Sequence, residues 1–410
     1  MLKVITHSWP LLLGVMLLMV GNGVQGTLLG IRGSNEGFST YELSFVMSAY
    51  FFGFLFGSWA APSMIRWVGH VRVFAALGSL ISAILVIYPV FPDWVVWTGL
   101  RILAGFCFSS IYITSESWIN NTASNETRGQ ALSAYMIVQM LGIIASQFLI
   151  NIPDTSGFTL FIIPSVLVSL AFMPILLAPT PAPAFDTTKR LAFAKLFQIS
   201  PLGCVGMLLT GGVFSAMFGM ASVWGAKEGL SLRDISIFVG ALYVGGLVLQ
   251  YPIGWASDRM DRRKMIMGLS VLAAVVMLVA TVLPLSFPAL IVVAFLLGGI
   301  TNPVYALLIA YTNDFLPRED MASASAALIF LNGFGAVFGP FITGWMMNTI
   351  GSSGFFLFIG VLYILLAAYA LYRMTRRAAP TASGSFQGMS LGTSPLAVGA
   401  VLDKGSAAKG

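Results

Sequence analysis

The sequence predicts an all-α integral membrane protein, with twelve transmembrane helices in two pseudo-symmetric six-helix bundles. Three observations carry this. Residues are 58% hydrophobic and 9% charged, with a mean hydropathy of +0.90, where a soluble domain carries roughly 25% charged residues. Apolar runs of about 20 residues, the length that crosses a bilayer at about 1.5 Å per residue, recur twelve times. The chain also matches itself at an offset of 192 residues.

The runs of the first half are Pro10 to Ile31, Glu42 to Met64, Val73 to Val90, Trp94 to Glu116, Ala131 to Ile150 and Phe158 to Leu177. Those of the second are Pro201 to Trp224, Ile235 to Trp255, Met265 to Leu283, Phe287 to Tyr311, Ser325 to Met347 and Phe355 to Tyr372. The first run is too long for a signal-peptide core and lacks a small-residue cleavage site, so it is expected to be retained. The expected organisation is therefore an N-terminal bundle over 1–178, a cytoplasmic linker over 179–200, a C-terminal bundle over 201–377, and a Gly, Ser and Ala-rich cytoplasmic tail over 378–410 that composition predicts to be disordered.

Charge sets the expected orientation. With the amino terminus inside, Arg66, Arg72, Arg128, Lys189, Arg190, Arg259, Arg262, Arg263, Lys264, Arg318, Arg373, Arg376 and Arg377 all fall on the cytoplasmic side, while Arg32, Lys227 and Arg233 fall outside. The positive-inside rule then predicts an even number of spans with both termini cytoplasmic. A net charge of +6 held in loops is not the basic face that nucleic-acid binding requires.

The repeat pairs Gly37 with Gly229, Ser39 with Ser231, Glu42 with Asp234, Ser44 with Ser236, Ala49 with Ala241 and Gly53 with Gly245. Ser39 to Glu42 and Ser231 to Asp234 have the spacing of a capping box, which satisfies orphan amides at a helix start. Gly53, Gly57, Gly335, Gly339 and Gly344 have spacings that let helices approach closely and are expected to be packing seams.

The loop after the eighth run reads Gly254-Trp255-Ala256-Ser257-Asp258-Arg259-Met260-Asp261-Arg262-Arg263-Lys264. It resembles the signature loop of the major facilitator superfamily, with Asp261 in place of the second glycine. The matching loop in the first half, Pro62 to Arg72, has Arg66 where that family has aspartate, so an amino-terminal clip must differ. Arg101 and Gly105 match the family's Arg-x-x-x-Gly feature. The stretch Thr127 to Met136, preceded by Glu116, is similar to the YcaD-like group of bacterial transporters. The resemblance covers nearly the whole chain before the tail, and it implies a secondary transporter working by alternating access, with a proton as the expected coupling ion. The alternative is a non-transporting membrane receptor or assembly factor on the same fold.

On the helices that line the cavity in that family, the polar residues near mid-span are Asn22, Gln25, Arg101, Tyr135, Gln139, Tyr243, Asn302, Tyr305 and Asn332. They are the candidate substrate-binding or coupling residues, for a small organic molecule that is aromatic or anionic. Arg101 lies about 12 Å inside the fourth run, where an arginine costs about 2.5 to 3.5 kcal/mol on insertion scales. Two readings stand for it: an anion-binding or coupling role, or bonds to backbone and helix ends. Glu116 and Asp314 are expected at similar places in the two halves, as conformational clips to Arg72, Arg128, Arg262 or Arg318 alongside Asp258 and Arg259, or with Glu116 as a proton carrier.

Catalysis has little to work with. His7 and His70 are the two histidines, both expected near the cytoplasmic surface, and Cys107 and Cys204 sit inside apolar runs, so neither a metal site nor a disulfide framework is expected. No enzymatic activity and no cofactor are expected. Gly21 to Gly26 spells a dinucleotide fingerprint but lies inside an apolar run rather than after a strand. Asn120 and Asn125 begin glycosylation-like triplets on the expected cytoplasmic side. A monomer is expected, because two halves already supply the interface.

Overall fold

The computed structural model describes residues 2–122, 128–151, 157–177 and 193–376. Twelve of its helices are long and apolar enough to cross a membrane. Lipid offers no partner for a backbone amide, so a spanning segment closes its hydrogen bonds within itself. The spans are Ser8–Asn35, Thr40–Val68, His70–Val90, Trp94–Ile119, Gln130–Leu149, Thr159–Leu177, Pro201–Lys227, Leu232–Ser257, Arg262–Val282, Phe287–Asn313, Ser323–Thr349 and Gly354–Arg376, here called first to twelfth.

Several helices overrun their apolar runs by about a turn, because a cap, and not the last apolar residue, stops them. The second begins after Ser39, whose Oγ accepts from the Glu42 amide while Glu42 Oε2 accepts from the Ser39 amide at 2.7 Å, and it ends at Gly69. In the eighth, Ser231 Oγ accepts from the Asp234 amide and donates to Asp234 Oδ2 at 2.7 Å. The turns before both contain a left-handed glycine, Gly37 at φ +84° and Gly229 at φ +72°, a conformation that Cβ disfavours. The seventh span carries a π-helical turn over Ala216–Met220.

The sequence repeat reappears as a packing repeat. A Cβ at Gly53 would meet the Ile102 carbonyl and one at Gly105 the Tyr50 carbonyl, pressing the second span onto the fourth. In the second half Gly245 faces the Phe295 carbonyl and Gly298 the Leu242 carbonyl in the same way. Outward faces carry Phe52, Phe56, Trp59, Val248 and Trp345 exposed, as a lipid-facing surface requires.

The two halves meet at the end that carries the Gly37 and Gly229 turns, the hairpin end. There Gly344 abuts Ser44, Gly30 abuts Ser222, and the Phe341 ring lies 5.1 Å from Phe45. The contact between the second and eleventh spans continues to mid-span, where Gly333 abuts Leu55. Part of the expected linker is ordered and helical: Phe193–Ile199 buries Leu196, sets the Phe193 ring 5.5 Å from Phe330, and brings Lys195 within 3.7 Å of Asp320. Its Phe, Leu and Phe spacing gives it an apolar face against the second half. The rest of the linker, the tail and the Asn125 triplet lie outside the described residues, as do the side chains of His7 and Asn120.

Candidate functional site

In the fourth span Arg101, Phe108, Tyr112 and Glu116 follow spacings of seven, four and four, which place them on one helical stripe. Gly105 lies on the same stripe, where it presses against the second span. The stripe turns inward: Arg101 is 3% exposed and Glu116 0%.

Around Arg101 the shell is aromatic. Its guanidinium lies 4.6 Å from the centre of the Tyr50 ring, and Nη2 donates to the Met47 thioether at 3.7 Å, a weak acceptor. Nε and Nη1 find no hydrogen-bond partner among the described residues. The expected alternative for this arginine, bonds to backbone and helix ends, is absent among those residues.

The first span supplies two amides. Asn22 Nδ2 donates to the Tyr112 hydroxyl at 2.9 Å and its Oδ1 accepts from Tyr50 at 3.3 Å. Gln25 Nε2 donates to the Tyr88 hydroxyl at 2.9 Å, while its buried Oε1 is unsatisfied among the described residues. Tyr50, Tyr88, Tyr112 and Met47, absent from the sequence-based candidates, thus join Asn22, Gln25 and Arg101. Their signal was present in the sequence as tyrosines inside apolar runs, where a hydroxyl needs a partner.

Glu116 lies beside Tyr135 of the fifth span and within electrostatic reach of Tyr305 in the tenth. Gln139 is buried one turn from Tyr135. From the second half Tyr243 is half-buried and stacks on Phe218 at 4.4 Å, the residue inside the π-turn, and Phe214 approaches Phe51 of the first half at 6.1 Å.

Two candidates have other work. Asn332 donates to the Met207 carbonyl at 3.0 Å and to Thr210 Oγ1 at 3.3 Å, tying the eleventh span to the seventh within one half. Asn302 is packed against Gly246, where the eighth and tenth spans cross.

Of the expected clip partners, Asp314 pairs with Arg262. Arg262 Nη1 donates to both Asp314 oxygens at 2.6 and 2.7 Å and to the Ala310 carbonyl at 3.3 Å, with Asp258 at 3.6 Å. All of these belong to the second half, so this cluster fastens spans within a half. Arg259 stacks over Trp255 at 4.0 Å. Arg72 is exposed and forms no ion pair among the described residues. The side chains of Arg128 and Arg318 lie outside the described residues. Glu116 and Asp314 are not equivalent: Gly105 and Gly298 superpose the tenth span on the fourth at an offset of 193, which puts Glu116 opposite Ile309, about 7 Å deeper than Asp314.

Asp261, in the place of the family's glycine, caps the ninth span. It accepts from the Arg263 amide at 3.0 Å and from Arg263 Nη2 at 2.7 Å, and that side-chain hydrogen bond holds its carboxyl below the usual carboxylate range. At the same place in the first half Gly69 adopts φ +83°. His70, the counterpart of Arg262, is buried and its Nε2 shares a hydrogen bond with Ser117 Oγ at 3.0 Å; apolar packing of the third and fourth spans covers a ring expected near the surface. No group of three or more His, Cys, Asp or Glu that could hold a metal occurs among the described residues.

The Major Facilitator Superfamily family model matches residues 11–246 and 202–405. An uncharacterized MFS-type transporter of Yersinia enterocolitica is 25% identical over 370 residues, covering 89% of this chain and 94% of its own. The uncharacterized MFS-type transporter YcaD of Escherichia coli O139:H28 is 26% identical over 381 residues, covering 88% and 96%. Among solved structures, the nucleoside transporter NupG superposes with a TM-score of 0.74 at 14% identity over 90% of this chain and 99% of its own. A bacterial homolog of the human lysosomal transporter Spinster, inward-facing and unoccupied, gives 0.69 at 14% over 90% and 98%.

Proposed function

The chain belongs to the Major Facilitator Superfamily, and on that premise we propose that it is a secondary active transporter that moves a small organic molecule across the bacterial inner membrane by alternating access. It works as a monomer, with both termini cytoplasmic and the hairpin end outside. The observation that carries this reading is the meeting of two repeated halves from the hairpin end to mid-span around a shared polar interior, where Tyr50, Tyr112 and Glu116 from one half lie within electrostatic reach of Tyr243 and Tyr305 from the other. Rocking about such a contact exposes a mid-membrane site to one side at a time.

A proton is the coupling ion in this reading, and Glu116 carries it. A carboxyl with no exposure, on the stripe that faces the other half, is costly in a membrane unless it serves a pathway. The test is uptake and efflux of pooled cellular metabolites in sealed proteoliposomes under an imposed pH gradient, read by mass spectrometry. Gradient-driven flux in the wild type that becomes indifferent to pH in Glu116→Gln supports the reading. Ligand binding with no flux in either direction favours a non-transporting receptor.

A further inference from the structure

We propose that Arg101 is the anchor for the carboxylate of an aromatic acid, whose ring reaches the Phe218–Tyr243 stack of the opposite half. This rests on the transport reading for its site and deepens it by naming the ligand class.

The first warrant is a deficit. An arginine carries five N–H donors and stays ionised in proteins. At 3% exposure Arg101 has one thioether contact and one aromatic face, and its Nε and Nη1 lack acceptors among the described residues. An uncompensated buried cation is far more costly than a paired one. The two forks of a guanidinium, Nε with Nη2 and Nη1 with Nη2, each offer a carboxylate two parallel hydrogen bonds. Tyr50 covers a face and Met47 takes one Nη2 hydrogen, which leaves one complete fork for a ligand.

The second warrant is the company Arg101 keeps. The nearby Gln25 has an unsatisfied amide oxygen beside Tyr88, with which Arg101 interacts electrostatically. Across the interior, Tyr243 lies within electrostatic reach of both Tyr50 and Tyr112, is half-buried, and stacks on Phe218. The cationic fork and the π surface are brought together at Met47, which touches Arg101 and packs against Gly219 beside Phe218 on the π-helical turn, a feature frequent at functional sites. A ligand with a carboxylate at one end and a planar ring at the other spans both. Its neutral analogue satisfies the stack alone.

The probe is radiolabelled phenylacetate in equilibrium dialysis against the full chain in nanodiscs, with phenylacetamide, acetate, benzoate and indole-3-acetate as competitors. We expect saturable phenylacetate binding, displaced by the two other aromatic acids and at least tenfold less effectively by phenylacetamide or acetate. Arg101→Gln should lose at least tenfold in phenylacetate affinity with phenylacetamide unchanged, and Arg101→Lys should recover part of the loss, each variant being first shown to be monodisperse. The proposal falls if no aromatic acid binds saturably, if phenylacetamide competes as well as the acids, or if Arg101→Gln binds phenylacetate like the wild type. Acid binding without flux in proteoliposomes would leave this assignment standing and remove the transport reading; flux of a neutral solute that Arg101→Gln leaves intact would do the reverse.

Discussion

Arg262 holds Asp314 through two hydrogen bonds of 2.6 and 2.7 Å, with the side chains 2% and 4% exposed, so the ninth and tenth spans are joined by a buried ion pair. Removing one partner leaves the other charge buried. Asp314→Leu is expected to destabilise the folded protein by about 3 kcal/mol, while Arg262→Met with Asp314→Leu together costs less than the single change. Thermal melts of the singles and the double in nanodiscs check this, and an additive double would refute it.

Helix crossings at glycine are expected to separate by what lies opposite them. Gly105→Ala sets a methyl against the Tyr50 carbonyl, whereas a Cβ at Gly99 meets nothing within 4 Å. Overpacking costs about 1 to 3 kcal/mol, so Gly105→Ala should lower folded yield and melting temperature, and Gly99→Ala should leave both unchanged.

The halves can be stapled. A Cβ at Gly240 lies 4.0 Å from Gln147 Cβ, within the range a disulfide accepts, and the two residues belong to different halves. Gly240→Cys with Gln147→Cys should cross-link under mild oxidation, stop flux in proteoliposomes and regain it on reduction. Cross-linking that leaves flux untouched would remove the rocking motion from the mechanism.

Asp261 gives a pH dependence with a definite sign. Its folded-state pKa is depressed, first by the Arg263 hydrogen bond, so its stabilisation is present above the ordinary carboxylate pKa of about 4 and is lost as pH falls through the lower folded value. Asp261→Asn should lower the melting temperature at neutral pH by on the order of a degree or two, as for a partly exposed pair, and the gap to the wild type should close in acid.

Much of this was readable in the sequence. Span number follows from apolar length, and the offset of 192 anticipated the paired glycine turns because a left-handed position admits few other residues. Helix ends were less legible: the ninth span starts at Arg262 because Asp261 caps it, a contact that hydropathy does not register. Among site residues Arg101 stood out as a lone charge in an apolar run, and Asn22 and Gln25 as amides in the first. Tyr50, Tyr88 and Tyr112 were hidden because a tyrosine in an apolar run reads as core until its hydroxyl is seen to meet an amide. Asn332 misled for the opposite reason, its amide being directed at backbone across the seventh span. The equivalence drawn between Glu116 and Asp314 failed because both end apolar runs, and only the glycine contacts reveal which positions share a depth.

The contact between the halves at the hairpin end is made of glycines, small hydroxyls and the rings of Tyr41, Phe45 and Phe341, with no ion pair across it among the described residues. Opening it would wet apolar surface, and the free energy that opposes this weakens on cooling and grows when kosmotropic salts such as sulfate are added. Temperature and lyotropic strength are therefore variables that set how firmly this door stays shut.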